Sequence, residues 1–220
     1  MKIKKPKFWD YNKPNIFAFL LSPLSLIFRI ITFFKKKEKI KYQHIKTICL
    51  GNIYIGGTGK TSLAIEVKKI FNNHNLKSCF IKKYYPDQDD EVKLLEKYGR
   101  TIVNKKRSEA LKQAIAENYE IAIFDDGLQD NSISYDFSFV CFNKLNWIGN
   151  GCLIPSGPLR EDIKKLKFYK NIFLNGNSEN LDIIKAQLKL INPSFIIYES
   201  EYIIINNQDF PKNERYLAFS

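Results

Sequence analysis

Leu50-Gly51-Asn52-Ile53-Tyr54-Ile55-Gly56-Gly57-Thr58-Gly59-Lys60-Thr61 is the stretch whose reading decides the fold. A short apolar run at residues 45–50 leads into it, and residues 62–71 follow with helical patterning. A strand, a glycine-rich turn closing on Gly-Lys-Thr and then a helix form the context of a phosphate-binding loop. Glycines let successive backbone N–H groups curve around a phosphate, and the helix N-terminus adds its partial positive charge. In this reading Tyr54, Ile55, Gly56, Gly57, Thr58 and Gly59 line a nucleotide site. Lys60 reaches the β- and γ-phosphates, and the Thr61 hydroxyl holds Mg²⁺. The common G-x-x-x-x-G-K-[ST] pattern has a further glycine where this chain has Tyr54. A chance glycine cluster explains the composition but not the strand before it and the helix after it.

Outward from the loop, strand-like and helix-like runs alternate. Strands are expected at 78–81, 121–124, 137–142, 172–174, 195–198 and 216–219, and helices at 90–98, 107–118 and 178–190. That alternation predicts an α/β fold, a phosphate-loop-NTPase-like and mainly parallel sheet with helices on both faces. No repeats or low-complexity tracts interrupt it.

Two acidic groups follow. The run at 121–124 ends in Asp125-Asp126-Gly127-Leu128-Gln129, and the carboxyl ends of parallel strands are where ligands bind in open α/β sheets. Asp125 and Asp126 are therefore candidates to hold the Mg²⁺–nucleotide, although a single turn-capping Asp is common. Asp89-Asp90-Glu91 opens a helix, where the dipole alone favours acidic residues; its functional version is a general base or a second metal ligand. Residues 149–161 form a glycine- and proline-rich loop ending in Arg160-Glu161, and Arg160 either grips a phosphate or pairs with a neighbouring carboxylate.

The formal charge of +12 is concentrated at one end. Residues 1–46 carry twelve Lys or Arg against Asp10 and Glu38, while the remaining 174 residues are close to balanced. Within the basic segment, IFAFLLSPLSLIFRIITFF at 16–34 is long enough to test as a membrane span, but Pro23 and Arg29 interrupt it. It is expected to lie in the interface of an anionic membrane, with flanking lysines on the headgroups; a soluble helix pair packed on the domain is the alternative. Nucleic acid is not an expected partner, because the apolar residues between the lysines have no role on a phosphate backbone. We divide the chain into this segment, 1–44, and a core, 45–220. Cys49, Cys79, Cys141 and Cys152 are widely spaced, with no C-x-x-C pair, so a reducing cytosol is expected.

Taken in order, G-N-x-x-x-G-G-T-G-K-T at 51–61, D-D-G-L-Q at 125–129 and G-N-G-x-L-x-P-x-G-P-L-R-E at 149–161 resemble the tetraacyldisaccharide 4′-kinase family of lipid A synthesis. Phe8-Trp9 and residues 21–25 resemble that family's opening segment, and its loop also lacks the first glycine. The resemblance implies ATP- and Mg²⁺-dependent phosphorylation of the 4′-hydroxyl of tetraacyldisaccharide 1-phosphate. It places a monomer at the cytoplasmic face of the bacterial inner membrane, peripheral or anchored by its N-terminus. It implies Asp90 as the catalytic base with Lys60, Glu91 near Mg²⁺ with Thr61, Asp125 and Asp126, and Gln129 and Arg160 on the substrate. Asp89 and Val92 replace a glycine and a proline of the family's G-D-E segment, and Lys82-Lys83-Tyr84 stands where the family has Arg-Gly-Tyr. In the family a second lobe follows a strand such as 216–219 and supplies a histidine; His44 and His74 match neither role, so a partial chain is expected.

Two other readings remain. Asn143-Lys144-Leu145-Asn146 approaches the guanine-reading N-K-x-D tetrad of a GTPase or a partition-type ATPase, but Asn146 removes the carboxylate that pairs with guanine. A non-catalytic nucleotide-binding module at the membrane is the other.

Overall fold

The computed structural model describes residues 5–34, 39–86, 89–178 and 180–203. Its centre is a seven-stranded sheet of β1 (Lys46–Gly51), β2 (Ser78–Lys83), β3 (Thr101–Asn104), β4 (Ile121–Asp125), β5 (Phe137–Asn143), β6 (Asn171–Asn175) and β7 (Ile196–Glu199). The order is β3-β2-β4-β1-β5-β6-β7 and every pair is parallel, which confirms the expected α/β class.

Strand periodicity divides the core. Ile48, Leu50, Phe80, Ile121 and Ile123 face Ala64 and Ile65 of α2 (Lys60–Asn73) and Leu95 of α3 (Asp89–Glu96). Cys49, Cys79, Ile81, Ala122 and Phe124 face the opposite way, towards α4 (Arg107–Ala116) and α5 (Leu181–Ile191), which contribute Ala110, Leu111, Ala114, Ile184 and Leu188. Strands buried on both faces read as continuous apolar runs, as these do. Each such side chain contributes about 1.5–3 kcal/mol when fully buried.

Three local differences from the sequence expectations have physical reasons. β3 was not expected, because Thr101-Ile102-Val103-Asn104 holds only two apolar residues between polar ends, whereas β7, equally short, carries three in a row. Helix α5 begins at Leu181 and not at 178, since the Ser178 hydroxyl accepts the Asn180 N–H in a preceding turn. Helix α1 (Ile16–Phe34) runs unbroken through Pro23. Proline lacks the N–H that would satisfy the Phe19 carbonyl; the Ser22 hydroxyl donates to that carbonyl instead, at 2.7 Å. The strand expected at 216–219 lies outside the described residues, as do Lys2, Lys4 and Lys35, Lys36 and Lys37.

Asn15 starts α1 by accepting the Ala18 N–H at 3.1 Å. Ala18 and Ser25 are buried, whereas Ile16, Phe19, Leu20, Leu24 and Ile27 lie open. The buried side docks on the loop of residues 149–160: Ser25 Oγ donates to the Leu153 carbonyl at 2.9 Å and lies 2.8 Å from Ser156 Oγ, whose hydroxyl can donate to it. Just before the helix, Trp9 Nε1 donates to the Pro155 carbonyl at 3.0 Å. No helix among the described residues is long and apolar enough to cross a membrane.

Candidate active site

The chain leaves β1 at the middle of the sheet, turns through residues 52–59 and enters α2 at Lys60, so the loop lies at the carboxyl edge between β4 and β5. Gly59 is the residue that caps α2, at φ +80°, and a Cβ there would meet the Asn175 amide at 2.1 Å. Only glycine fits that combination of left-handed backbone and close approach. The loop's first half is braced from two sides. Ile55 N–H donates to the Pro158 carbonyl at 2.9 Å, and Arg160 N–H to the Ile53 carbonyl at 2.7 Å. Tyr54, in place of the usual glycine, is buried; its hydroxyl donates to Asp10 Oδ1 at 3.0 Å and accepts from Lys5 Nζ at 2.9 Å. The N-terminal segment thus supports the phosphate loop directly.

Asp125 ends β4 with no solvent exposure. Its Oδ2 accepts the Thr61 hydroxyl at 3.2 Å and the Lys82 ammonium at 2.7 Å. Lys82 also donates to Glu91 Oε2 at 2.5 Å, so Glu91 and Asp125 flank one cation. Burial works against the Lys82 charge, but Asp125 and Glu91 hold its pKa above the ordinary lysine value. Asp126 takes the left-handed conformation at φ +61°, which among non-glycine residues Asp and Asn tolerate best. Its N–H donates to the Leu50 carbonyl at 2.8 Å, and its carbonyl accepts from Arg107 Nη2. The carboxylate is held by Arg160 Nη1 at 3.0 and 3.1 Å. Burial alone would raise the Asp126 pKa; Lys60, Arg160 and Arg107 reverse that and keep it below the ordinary aspartate value.

Asp125 Oδ1 and Thr58 Oγ1 are buried without a hydrogen-bond partner among the described residues. Buried polar atoms rarely lack one, and beside a loop shaped for phosphate these two match the oxygens and the cation of a bound nucleotide. Thr61 and Asp125 offer the hard oxygen donors that Mg²⁺ takes. Among the described residues no group of three or more His, Cys, Asp and Glu forms a metal cage. The set therefore fits a cation shared with phosphates, and Mg²⁺ is usually held that way.

The three sequence motifs meet in one place. Gln129 Nε2 donates to the Asn52 carbonyl at 2.9 Å and to Glu161 Oε1 at 3.1 Å, while Gln129 Oε1 lies 3.4 Å from Arg160 Nη1. Asp90 sits in the exposed first turn of α3, beside Glu91, and among the described residues its carboxylate has no side-chain partner. His44 and His74 lie elsewhere, before β1 and after α2. Asn143 turns its side chain to the Leu145 N–H at 2.8 Å, within its own turn. Sequence reasoning missed two members. Arg107 read as an ordinary helix start, and Lys82 lay just past the strand expected at 78–81, noted only as standing where the family has Arg-Gly-Tyr, yet both are buried among carboxylates. A lysine directly after the apolar run at 79–81 was the available signal; its position opposite Asp125 appears only in the sheet register.

Residues 17–217 match the family described as tetraacyldisaccharide-1-P 4′-kinase. The tetraacyldisaccharide 4′-kinase of Pelagibacter ubique (strain HTCC1062) is 58% identical over 220 residues, covering 100% of this chain and 70% of that protein. The enzyme of the same name from Rickettsia canadensis (strain McKiel) is 34% identical, covering 100% of this chain and 71% of that protein. Among solved structures, LpxK from Aquifex aeolicus, described as an "apo" form in complex with ATP, superposes with a TM-score of 0.62 at 16% identity over 90% of this chain and 86% of that one. That likeness shows a shared fold. With a family match across most of its length and relatives identical at more than a third of positions, the chain belongs to the tetraacyldisaccharide-1-P 4′-kinase family.

Proposed function

We propose that this chain transfers the γ-phosphoryl group of ATP to the 4′-hydroxyl of tetraacyldisaccharide 1-phosphate, a step of lipid A synthesis. The observation that carries this reading is the Thr61–Asp125 pair beside Lys60, at the mouth of a phosphate loop, in a chain of this family. Residues 56–59 present backbone N–H groups to the triphosphate, since the Ile55 N–H is taken by the Pro158 carbonyl, and Lys60 neutralises charge on the β- and γ-oxygens. Thr61, Asp125 and Asp126 would hold Mg²⁺, with Glu91 nearby, and the ion when bound would supply further neutralisation of the transferring group. Asp90 accepts the proton of the attacking hydroxyl. Its open position suits that task, because an acceptor must reach it from outside. Gln129 and Arg160 orient the acceptor. Rate enhancement in such a site is chiefly positional and electrostatic.

The acceptor's approach follows from the surface. A cavity of about 310 Å³ is lined by Arg29 and Thr32 of α1, by Arg160, Lys164, Lys165 and Lys167, and by Glu161 and Asp162, which lie 3.5 Å from Lys165 and Arg29, so five basic side chains face two acidic ones. It runs from the apolar helix to the residue that grips Asp126. A lipid with a phosphorylated sugar headgroup matches that combination of basic pocket and apolar flank. We place α1 in the headgroup region of the inner membrane's cytoplasmic face, with the core in water and a single copy forming the site.

The test is transfer of labelled phosphate from ATP to tetraacyldisaccharide 1-phosphate in detergent micelles, with Lys60→Ala as partner. Lys60→Ala should lose about 10²–10³-fold in turnover. Equal rates for the two proteins would sink the reading, and ATP binding without transfer would favour a non-catalytic nucleotide-binding module.

A further inference from the structure

Lys82 and Asp125 are register partners on adjacent strands, so their side chains leave β2 and β4 side by side at the carboxyl edge. Both lie on the face that carries Phe80 and Ile123 towards α2 and α3, two residues further along each strand. The Lys82 side chain is 3% exposed. Its ammonium touches Asp125 at 2.7 Å and Glu91 at 2.5 Å, and Asp125 in turn accepts from Thr61. One buried cation therefore links the first turn of α2, the end of β4 and the first turn of α3.

Helix α3 needs such a link. It has eight residues, and its buried side chain is Leu95, near the far end. Among the described residues, Glu91–Lys82 is the polar tie between its first turn and the sheet. Without it the helix would be pinned at Leu95 and free to swing at the end that carries Asp90. An apolar residue at 82 would also leave Asp125 without its buried counter-charge, the costly half of a broken ion pair.

We propose that Lys82 is a positioning residue for phosphoryl transfer: its ammonium fixes the first turn of α3, and with it Asp90, relative to the Thr61–Asp125 pair. The proposal rests on the reading of Asp90 as the base. It assigns Lys82 no contact with substrate.

The test compares the unaltered chain with Lys82→Met and Lys82→Arg by two readouts, amide hydrogen exchange and steady-state transfer across a range of ATP concentrations. In Lys82→Met, amides of α3 should exchange at least about tenfold faster while those of α4 stay unchanged. Its kcat should fall about ten- to a hundredfold, as expected for a misplaced catalytic group, with KM for ATP moving less than about threefold. Lys82→Arg should restore both readouts to within about threefold of the unaltered chain, since a guanidinium can hold two carboxylates. Unchanged α3 exchange, an unchanged kcat, or equal losses in the Met and Arg variants would overturn the proposal. If Lys82→Met does not fold, Glu91→Gln cuts the same tie from its half-exposed end and should reproduce the α3 exchange. Absence of transfer by the unaltered chain would instead overturn the kinase reading, and the exchange pattern would still decide whether Lys82 holds α3.

Discussion

Helices α1 and α2 are both rich in apolar residues, and they use them in opposite directions. In α2, Ala64 and Ile65 are buried against the sheet, and Leu63, Val67 and Phe71 pack around them. In α1 the buried positions are Ala18 and Ser25, while Leu20 is 71% exposed and Ile16, Phe17, Phe19 and Ile27 are open as well. A small-residue stripe that docks and a large-residue stripe that faces outward is the reverse of a core helix. An open apolar patch of this kind marks an interaction surface. The difference teaches that α1 is built for something other than the fold, and its flanking lysines and the basic cavity at Arg29 agree with a lipid surface.

That contrast can be broken at three levels. The largest effect is expected on α1. Leu20→Asp with Ile27→Asp removes two large apolar side chains from the outward stripe, each contributing about 1.5 kcal/mol or more to insertion. Partition onto vesicles containing anionic lipid should fall about a hundredfold in sedimentation. Thermal stability in solution and ATP binding should not move. A protein that still partitions normally would return α1 to the role of an ordinary packed helix.

Next comes the inward helix. Ile65→Ala, at 7% exposure against Leu50 and Ile123, should destabilise the chain by about 2–4 kcal/mol in urea unfolding. Vesicle partition of the folded protein should be unchanged. A stability loss below about 1 kcal/mol would mean that α2 is held by its loop and not by its core face.

The smallest effect lies at the opposite end of the sheet, where Asp136 accepts the Thr47 N–H at 2.9 Å and the Thr47 hydroxyl at 3.0 Å. Burial acts to raise the Asp136 pKa, but these hydrogen bonds, with Lys46 and Lys41, keep it below the ordinary 3.8. A lowered folded pKa gives stability that is present above the unfolded value and is lost as pH falls through the folded one. Asp136→Asn should therefore cost about 1–2 kcal/mol at neutral pH, and the gap should close below pH 3.8. A constant difference across that range would assign the loss to packing and not to charge.

The phosphate loop, the parallel sheet and the paired aspartates were legible in the sequence because each has a local signature. Gly-Gly-Thr-Gly-Lys-Thr follows an apolar run, and Asp-Asp-Gly closes another. Backbone conformation and strand period act over a few residues, so a linear reading detects them. The edge strand β3, with only Ile102 and Val103 apolar, was too weak a run for that, and Pro23 looked like an interruption because the Ser22 hydroxyl's rescue of the Phe19 carbonyl cannot be seen in a pattern.

What the sequence by itself determined, then, is the class of site: a nucleotide loop, acidic partners at strand ends, and a basic apolar segment ahead of them. Only the tertiary structure decided which charges share a partner. Lys82 meets Asp125 because β2 lies beside β4, although 37 residues separate those strands in the chain at their nearest ends. Arg160 meets Asp126, and Tyr54 meets Asp10 and Lys5, through loops folded back over the carboxyl edge. The physical reason is range. Propensity and periodicity are local, whereas electrostatic pairing is set by distance in space, and that distance exists only once the sheet order is formed.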